Sequence, residues 1–299
     1  MIENKKIVIT GSTGMLGHSL INELLKGDNT IFCVEHPESK RLGTIPESSN
    51  IHLIKCPIDK YFSVEIQEKC DYFFHLAWDN TTKEGRDDVD CQLGNIQHTL
   101  DAVRLAYKLK CKIFVGAGSQ AEYGIKTVPL TVDMPVDPQN GYGVAKYTAG
   151  KFAKILCRQL GIKFNWIRIL SMYGPNDGEN TLISYVIREL KAGRSPELTK
   201  CEQIWDYIHC DDAARAFVLV AESGVDGKTY PLGSGQGRKL SEYVEDLQKQ
   251  IAPDIPVKFG TKEYYPHQPM FLVADVSELK KDTGWKAKIG FPDGINGMR

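Results

Sequence analysis

The chain has 299 residues, 42% of them hydrophobic and 25% charged, enough to bury a sizeable core in one large domain or two closely joined ones. A formal net charge of −1 and a pI near 6.7 give no general attraction for nucleic acid or an anionic membrane, so any anionic ligand has to be held locally. The start of the chain runs from a short charged stretch into a glycine-rich turn, without an apolar segment long enough for export or membrane spanning, and the sequence reads as cytosolic.

The first 170 residues alternate short apolar runs with amphipathic stretches. Strands are expected at Ile7–Thr10, Thr30–Val34, Ile51–Lys55, Tyr72–Leu76, Ile113–Gly116 and Phe164–Ile169, and helices at Met15–Leu25, Val64–Lys69, Gly94–Lys108 and Gly143–Leu160. That alternation predicts an α/β fold with a doubly wound, Rossmann-type parallel sheet. After Tyr173 the turn cluster Gly174-Pro175-Asn176-Asp177-Gly178 marks a change, and helices follow at Thr181–Ala192, Cys210–Ala221, Leu240–Ile251 and Val276–Thr283. The expected division is a dinucleotide-binding domain of residues 1–173 with a returning segment near 205–230, and a smaller α/β cap of residues 174–204 and 231–299.

Lys6-Ile7-Val8-Ile9-Thr10 followed by Gly11-Ser12-Thr13-Gly14-Met15-Leu16-Gly17 reads as a strand, a glycine-rich turn and a helix start. Such a turn brings backbone N–H groups and a helix N-terminus close to a pyrophosphate. Glu35, 24 residues after Gly11, stands where a carboxylate holds the adenosine ribose of NAD. His36, Lys40 and Arg41 follow it and would suit the extra phosphate of NADP, so NAD is favoured and NADP stays open.

Tyr142-Gly143-Val144-Ala145-Lys146 places a phenol and an ammonium four residues apart, on one face of a helix. A neighbouring ammonium favours phenolate, which would let Tyr142 exchange a proton with a sugar hydroxyl. Ser119, after the buried run Lys112–Gly118, falls at the carboxyl end of a strand and is positioned to hydrogen-bond the reacting oxygen. The eight cysteines and seven histidines show none of the close spacings that metal or redox motifs need, so no metal is implied and the thiols read as reduced.

Together the glycine turn, Ser119-Gln120-Ala121-Glu122-Tyr123-Gly124, Tyr142-x-x-x-Lys146, Arg168-Ile169-Leu170-Ser171-Met172-Tyr173-Gly174-Pro175 and Trp205-Asp206-Tyr207-Ile208-His209-Cys210-Asp211-Asp212 resemble the extended short-chain dehydrogenases/reductases, over nearly the whole chain. The resemblance implies an NAD(P)-dependent enzyme acting on a nucleotide-linked sugar, with Ser119, Tyr142 and Lys146 as the catalytic triad. It carries Gly11, Thr13, Gly14, Met15, Leu16, Gly17, Glu35, His36, Arg41, Ile58, Leu76, Ala77, Asn95, Ala117, Leu170 and Met172 onto the cofactor site. Trp78, Gln120, Glu122, Ser171, Arg194, Trp205, Arg238 and His267 become candidate substrate contacts. It also implies a homodimer joined through the helices near Gly94–Lys108 and Gly143–Leu160.

Departures from the family pattern narrow the chemistry. Dehydratases carry an Asp-Glu pair after the active-site hydroxyl residue, whereas Gln120-Ala121 follows Ser119, so an acid for expelling water is missing. The family's diphosphate-clamping arginines are replaced by Trp205 and near His267, and its asparagine by Ser171, leaving Arg194, Lys200 or Arg238 as candidate clamps. The favoured activity is C4 epimerisation by transient hydride transfer. Reduction of a 4-keto sugar nucleotide is the alternative, and a non-catalytic dinucleotide sensor the remote one.

Overall fold

The computed structural model describes residues 2–81, 84–265 and 268–298. In chain order its regular elements are β1 (Lys6–Thr10), α1 (Met15–Leu25), β2 (Thr30–Glu35), β3 (Ile51–Lys55), β4 (Tyr72–His75), α2 (Val89–Lys108), β5 (Ile113–Ser119), α3 (Gly141–Leu160), β6 (Lys163–Ile169), β7 (Ser171–Tyr173), α4 (Leu182–Lys191), β8 (Ile204–Trp205), β9 (Tyr207–His209), α5 (Cys210–Ser223), β10 (Thr229–Leu232), β11 (Arg238–Lys239), α6 (Leu240–Ile251), β12 (Phe271–Leu272), α7 (Ser277–Thr283) and α8 (Phe291–Ile295).

Seven strands form one parallel sheet in the order β3-β2-β1-β4-β5-β6-β10. Successive side chains of β1 show why it lies flat in the middle. Ile7 and Ile9 point into a core filled from α1, α5 and α7, including Leu20, Ile21, Phe217 and Leu279, while Val8 points into the opposite core under α2 and α3, with Val103, Ala106, Ala153 and Cys157. An apolar run buried on both faces is the mark of a parallel sheet covered by helices on both sides. The predicted fold class is the observed one: a Rossmann-type α/β sheet.

Six strands lie where the apolar runs put them, with β5 continuing to Ser119. The seventh, β10, pairs with β6 from Thr229↔Trp166 to Leu232↔Ile169. It is four residues long and holds Pro231, so it carries no strand pattern of its own; the edge of the sheet forms it. No helix forms at Val64–Lys69. A short 3₁₀ segment at Ile58–Ser63 precedes it, and the Lys108 ammonium holds the Phe62 and Val64 carbonyls at 3.2 and 2.9 Å. Six residues are too few to repay helix nucleation against such tertiary contacts.

The C-terminal part builds a further core from α4, α6 and α8, with Ile183, Val186, Leu247 and Phe291. Two small sheets, β11-β8-β12 and β7-β9, join it to the main sheet's carboxyl edge. The buried Asp206 carboxylate ties these segments together, accepting from Ser234 N (2.7 Å), Gly235 N (3.0 Å) and Ala274 N (3.1 Å). Among the described residues no helix is long and apolar enough to cross a membrane.

Candidate active site

All seven main strands point their carboxyl ends the same way, and the order reverses between β1 and β4. That reversal opens a crevice over the strand ends, where ligands of such sheets bind. Gly11 follows β1 with φ +77°, and a Cβ there would lie 2.6 Å from the Ala77 nitrogen. Gly11→Ala should therefore cost about 1–3 kcal/mol of stability and abolish dinucleotide binding, checked by thermal unfolding and by calorimetric titration with NAD.

Glu35, at the end of β2, is buried beside this turn. Its carboxylate accepts from the Ser12 amide, the Ser12 hydroxyl (2.6 Å) and the Thr13 hydroxyl (3.0 Å). A cavity of about 640 Å³ runs from Gly11, Thr13 and Gly14 past Glu35, His36, Arg41 and Ile58 to Leu76, Ala77 and Trp78. It continues into a second cavity of about 500 Å³ lined by Met15, Leu16, Gly17, Ala117, Ser119, Gln120, Tyr142, Lys146, Leu170, Ser171 and Met172. A dinucleotide fits this pair of spaces: a turn that allows close backbone approach lies between them and a buried acid stands at one end. Lys40 is exposed and lines neither cavity.

The second cavity gathers Ser119, Tyr142 and Lys146. Asn140 caps α3 by accepting from Gly143 N at 2.8 Å, and the helix it starts presents Tyr142 and Lys146 one turn apart under the end of β5. Ser119 stands beside the Tyr142 phenol and favours its ionised form, and its Oγ accepts from Ala121 N at 3.2 Å. Lys146 donates to the Ala117 carbonyl at 2.8 Å, and its ammonium lies 3.7 Å from the centroid of the Trp78 ring. The Trp78 ring meets Tyr142 edge-on at 5.9 Å and is anchored by Nε1 donating to Gln92 at 3.0 Å.

Burial dominates the electrostatics. It pushes Lys146 down to about 7, with Glu122 opposing. It holds the Tyr142 phenol above its ordinary value, against the Ser119 hydrogen bond and the positive charge of Arg86, with Glu122 adding to the rise. His75, at the end of β4, bonds Thr10 Oγ1 through Nδ1 at 2.8 Å; burial above all drives it down to about 3, so it is neutral at neutral pH.

Several candidates from the sequence lie elsewhere. Asn95 is buried and clamps Asp79, accepting from its N–H at 2.8 Å and donating to its carbonyl at 2.9 Å, so it shapes the loop after β4 rather than lining the cleft. Glu122 is 1% exposed and points under the strand end. Trp205 packs among Tyr207, Leu240 and Tyr243 and donates Nε1 to Ser171 at 2.8 Å; it fills the cap and buttresses a cleft residue. Arg194 is paired with Glu189 at 2.7 Å, and Arg238 with Asp246 at 2.9 Å, and neither lines the cleft. Lys200 is exposed and also lines neither cavity. His267 falls outside the described residues.

The cleft also takes in residues that sequence reasoning did not single out: Arg86, Thr181 and Tyr207 on the Ser119 side, and Asp59, Tyr61 and His98 on the Glu35 side. Tyr207 lies inside a recognised segment and could have been read from it. Arg86 comes from the polar loop before α2, which has no pattern. Its guanidinium stands 5.0 Å from the centroid of the Tyr142 ring.

The fold and site together define a dinucleotide-binding protein with a serine, a tyrosine and a lysine gathered at the sheet's carboxyl edge. Residues 7–233 match the NAD dependent epimerase/dehydratase family, and the chain belongs to that family. It is 25% identical to CDP-abequose synthase of Salmonella typhimurium over 301 residues, 97% of this chain and 95% of that protein. It is 23% identical to UDP-glucose 4-epimerase of Lactobacillus helveticus, covering 95% of this chain and 92% of that one. Among solved structures, UDP-N-acetylglucosamine 4-epimerase from Methanobrevibacter ruminantium M1, in complex with UDP-N-acetylmuramic acid, superposes with a TM-score of 0.88 at 21% identity, over 99% of each chain.

Proposed function

We propose that this protein is an NAD-dependent nucleotide-sugar C4 epimerase. The observation that carries the reading is the convergence of Ser119, Tyr142 and Lys146 beside the glycine turn in one cleft. In it Tyr142 takes the proton of the C4 hydroxyl and later gives it back, and Ser119 donates a hydrogen bond that steadies the C4 oxygen. The Lys146 ammonium supports the phenolate and would hold the nicotinamide ribose, while the turn at Gly11, Gly14 and Gly17 would hold the pyrophosphate. NAD bound there would supply the hydride acceptor and donor for C4, so no external oxidant would be needed.

Glu35 supports NAD over NADP: a buried carboxylate at the ribose position accepts hydroxyl donors and repels a phosphate. His36 and Arg41, on the rim of the same cavity, support the second reading, an NADPH-dependent reductase of 4-keto sugar nucleotides. Residues 1–173 and about 205–230 would serve the dinucleotide, and 174–204 with 231–299 the sugar nucleotide. Exposed Leu93 on α2 and Val144, Phe152 and Ile155 on α3 support a homodimer through these two helices. Dinucleotide and sugar-nucleotide chemistry, with eight free thiols, fits the cytoplasm.

The test is to purify the protein, release any dinucleotide by denaturation, identify it by mass spectrometry, and assay UDP-, GDP-, CDP- and dTDP-hexoses for C4 inversion without added cofactor. Retained NAD with turnover is the expected result. A cofactor-free protein that prefers NADPH would move the assignment to the reductase, and failure to bind either dinucleotide would overturn both.

A further inference from the structure

Directly beneath Ser119 lies a buried ion pair that the proposed reaction does not use. Glu122, 1% exposed, stands on the turn that follows β5. Its Oε1 accepts from the Ser119 amide at 2.9 Å and from Trp166 Nε1 at 2.9 Å, and its Oε2 accepts from Arg168 Nε at 2.7 Å. Trp166 and Arg168 both belong to β6, paired with Gly116 and Gly118 of β5. The glycine at 118 is explained by this packing, since a Cβ there would meet Trp166 Nε1 at 2.3 Å and Glu122 Oε1 at 2.5 Å. Arg168 is held on its other side by the Tyr123 ring, 4.5 Å from its guanidinium carbon. Every polar contact of the carboxylate thus ends on the serine or on the neighbouring strand.

We infer that Glu122, held by Arg168 and Trp166, is a positioning residue: it fixes the main chain of Ser119 and is the buried negative charge that Lys146 and Tyr142 face. The inference rests on the proposed role of Ser119, Tyr142 and Lys146. Satisfying the Ser119 amide from within fixes the main chain from which its hydroxyl projects, and a misplacement of about 1 Å at such a group costs on the order of 100-fold in rate. The charge acts on the helix opposite. Acting on Lys146 are Glu122 after β5, neutral His75 on β4, Tyr142 on its own helix and, beyond Tyr142, Arg86, while Arg168 on β6 lies behind Glu122 and is paired with it. Glu122 is the one anion of this set, and it opposes the loss of the Lys146 proton. Hydrophobic replacement of a buried ion pair is often tolerated by the fold, so stability and positioning can be separated.

The experiment compares wild type with Glu122→Asp, Glu122→Gln and the double variant Glu122→Val/Arg168→Met. Circular dichroism, retained NAD, kcat and KM are measured, with a pH profile of kcat, on whichever UDP-hexose the wild type turns over. In each folded variant kcat is expected to fall by about 10- to 100-fold with KM changed far less. In Glu122→Gln the alkaline limb should move about one pH unit lower, because Lys146 loses its proton more easily without the anion, and in the double variant, where the Arg168 cation leaves with it, the limb should move less. Glu122→Asp keeps the charge and should leave that limb in place. Wild-type kcat and pH profile in any folded variant would overturn the inference, as would failure of all three to fold, which would make the pair a folding element. Absence of turnover by the wild type would instead sink the proposed function.

Discussion

Replacing Tyr142 with phenylalanine is expected to lower kcat by about 10³-fold, within the range general acid–base groups contribute, while NAD stays bound. The phenol is buried and stands beside Ser119 in the same cavity. Removing its oxygen leaves the shape of the cleft intact and takes away the phenol that stands beside that serine. The Trp78 ring, meeting Tyr142 edge-on at 5.9 Å, would pack equally against phenylalanine. The measurement is kcat for C4 inversion together with the dinucleotide content of the purified variant. Activity within tenfold of wild type would remove Tyr142 from the proton-transfer role.

Lys146→Met is expected to abolish turnover and yet stabilise the cofactor-free protein. Burial lowers the lysine from 10.5 in the unfolded chain to about 7 in the folded one. Below about pH 7 both states hold the proton, and the folded state carries the full penalty of a desolvated ammonium, bounded at roughly 5 kcal/mol. Above that, the unfolded chain binds more protons than the folded one, so wild-type stability rises by about 1.4 kcal/mol per pH unit as pH climbs towards 10.5. The advantage of Lys146→Met is therefore flat below about pH 7 and shrinks above it. Denaturant unfolding of both proteins at pH 6, 7.5 and 9 reads this directly. A difference that does not change with pH would mean that the ammonium is not desolvated by folding. A methionine that stabilises while destroying activity would show that the lysine is kept at a cost to the fold.

The glycine-turn side of the cleft was more legible in the sequence than the side towards the C-terminal part, for a physical reason. Gly11 to Gly17 and Glu35 act through backbone geometry and strand ends, and both are fixed by local pattern: an apolar run sets where the strand stops, and the glycines set how the chain turns. Tyr142 and Lys146 were readable for the same reason, as a spacing of four on a helix whose cap, Asn140, precedes them. Candidates chosen by charge fared differently. Arg194 and Arg238 suit a diphosphate by residue type, but Glu189 and Asp246 lie within reach on neighbouring turns and take them first. Arg86 reaches the cleft from a loop whose course follows from contacts with α3, not from its own residues.

What the sequence determined by itself is the sheet, its covering helices, the glycine turn and the Ser-Tyr-Lys set, because these depend on hydrophobic period and on spacing within single elements. Only the tertiary structure decided that Thr229–Leu232 completes the sheet, that Glu122 is buried against Arg168 and Trp166, and that Lys146 lies on Trp78. Those outcomes join residues 44 to 68 positions apart, and no local pattern encodes them: an unpaired strand edge, a buried charge and a desolvated ammonium are each resolved by whichever partner the packed fold brings within reach.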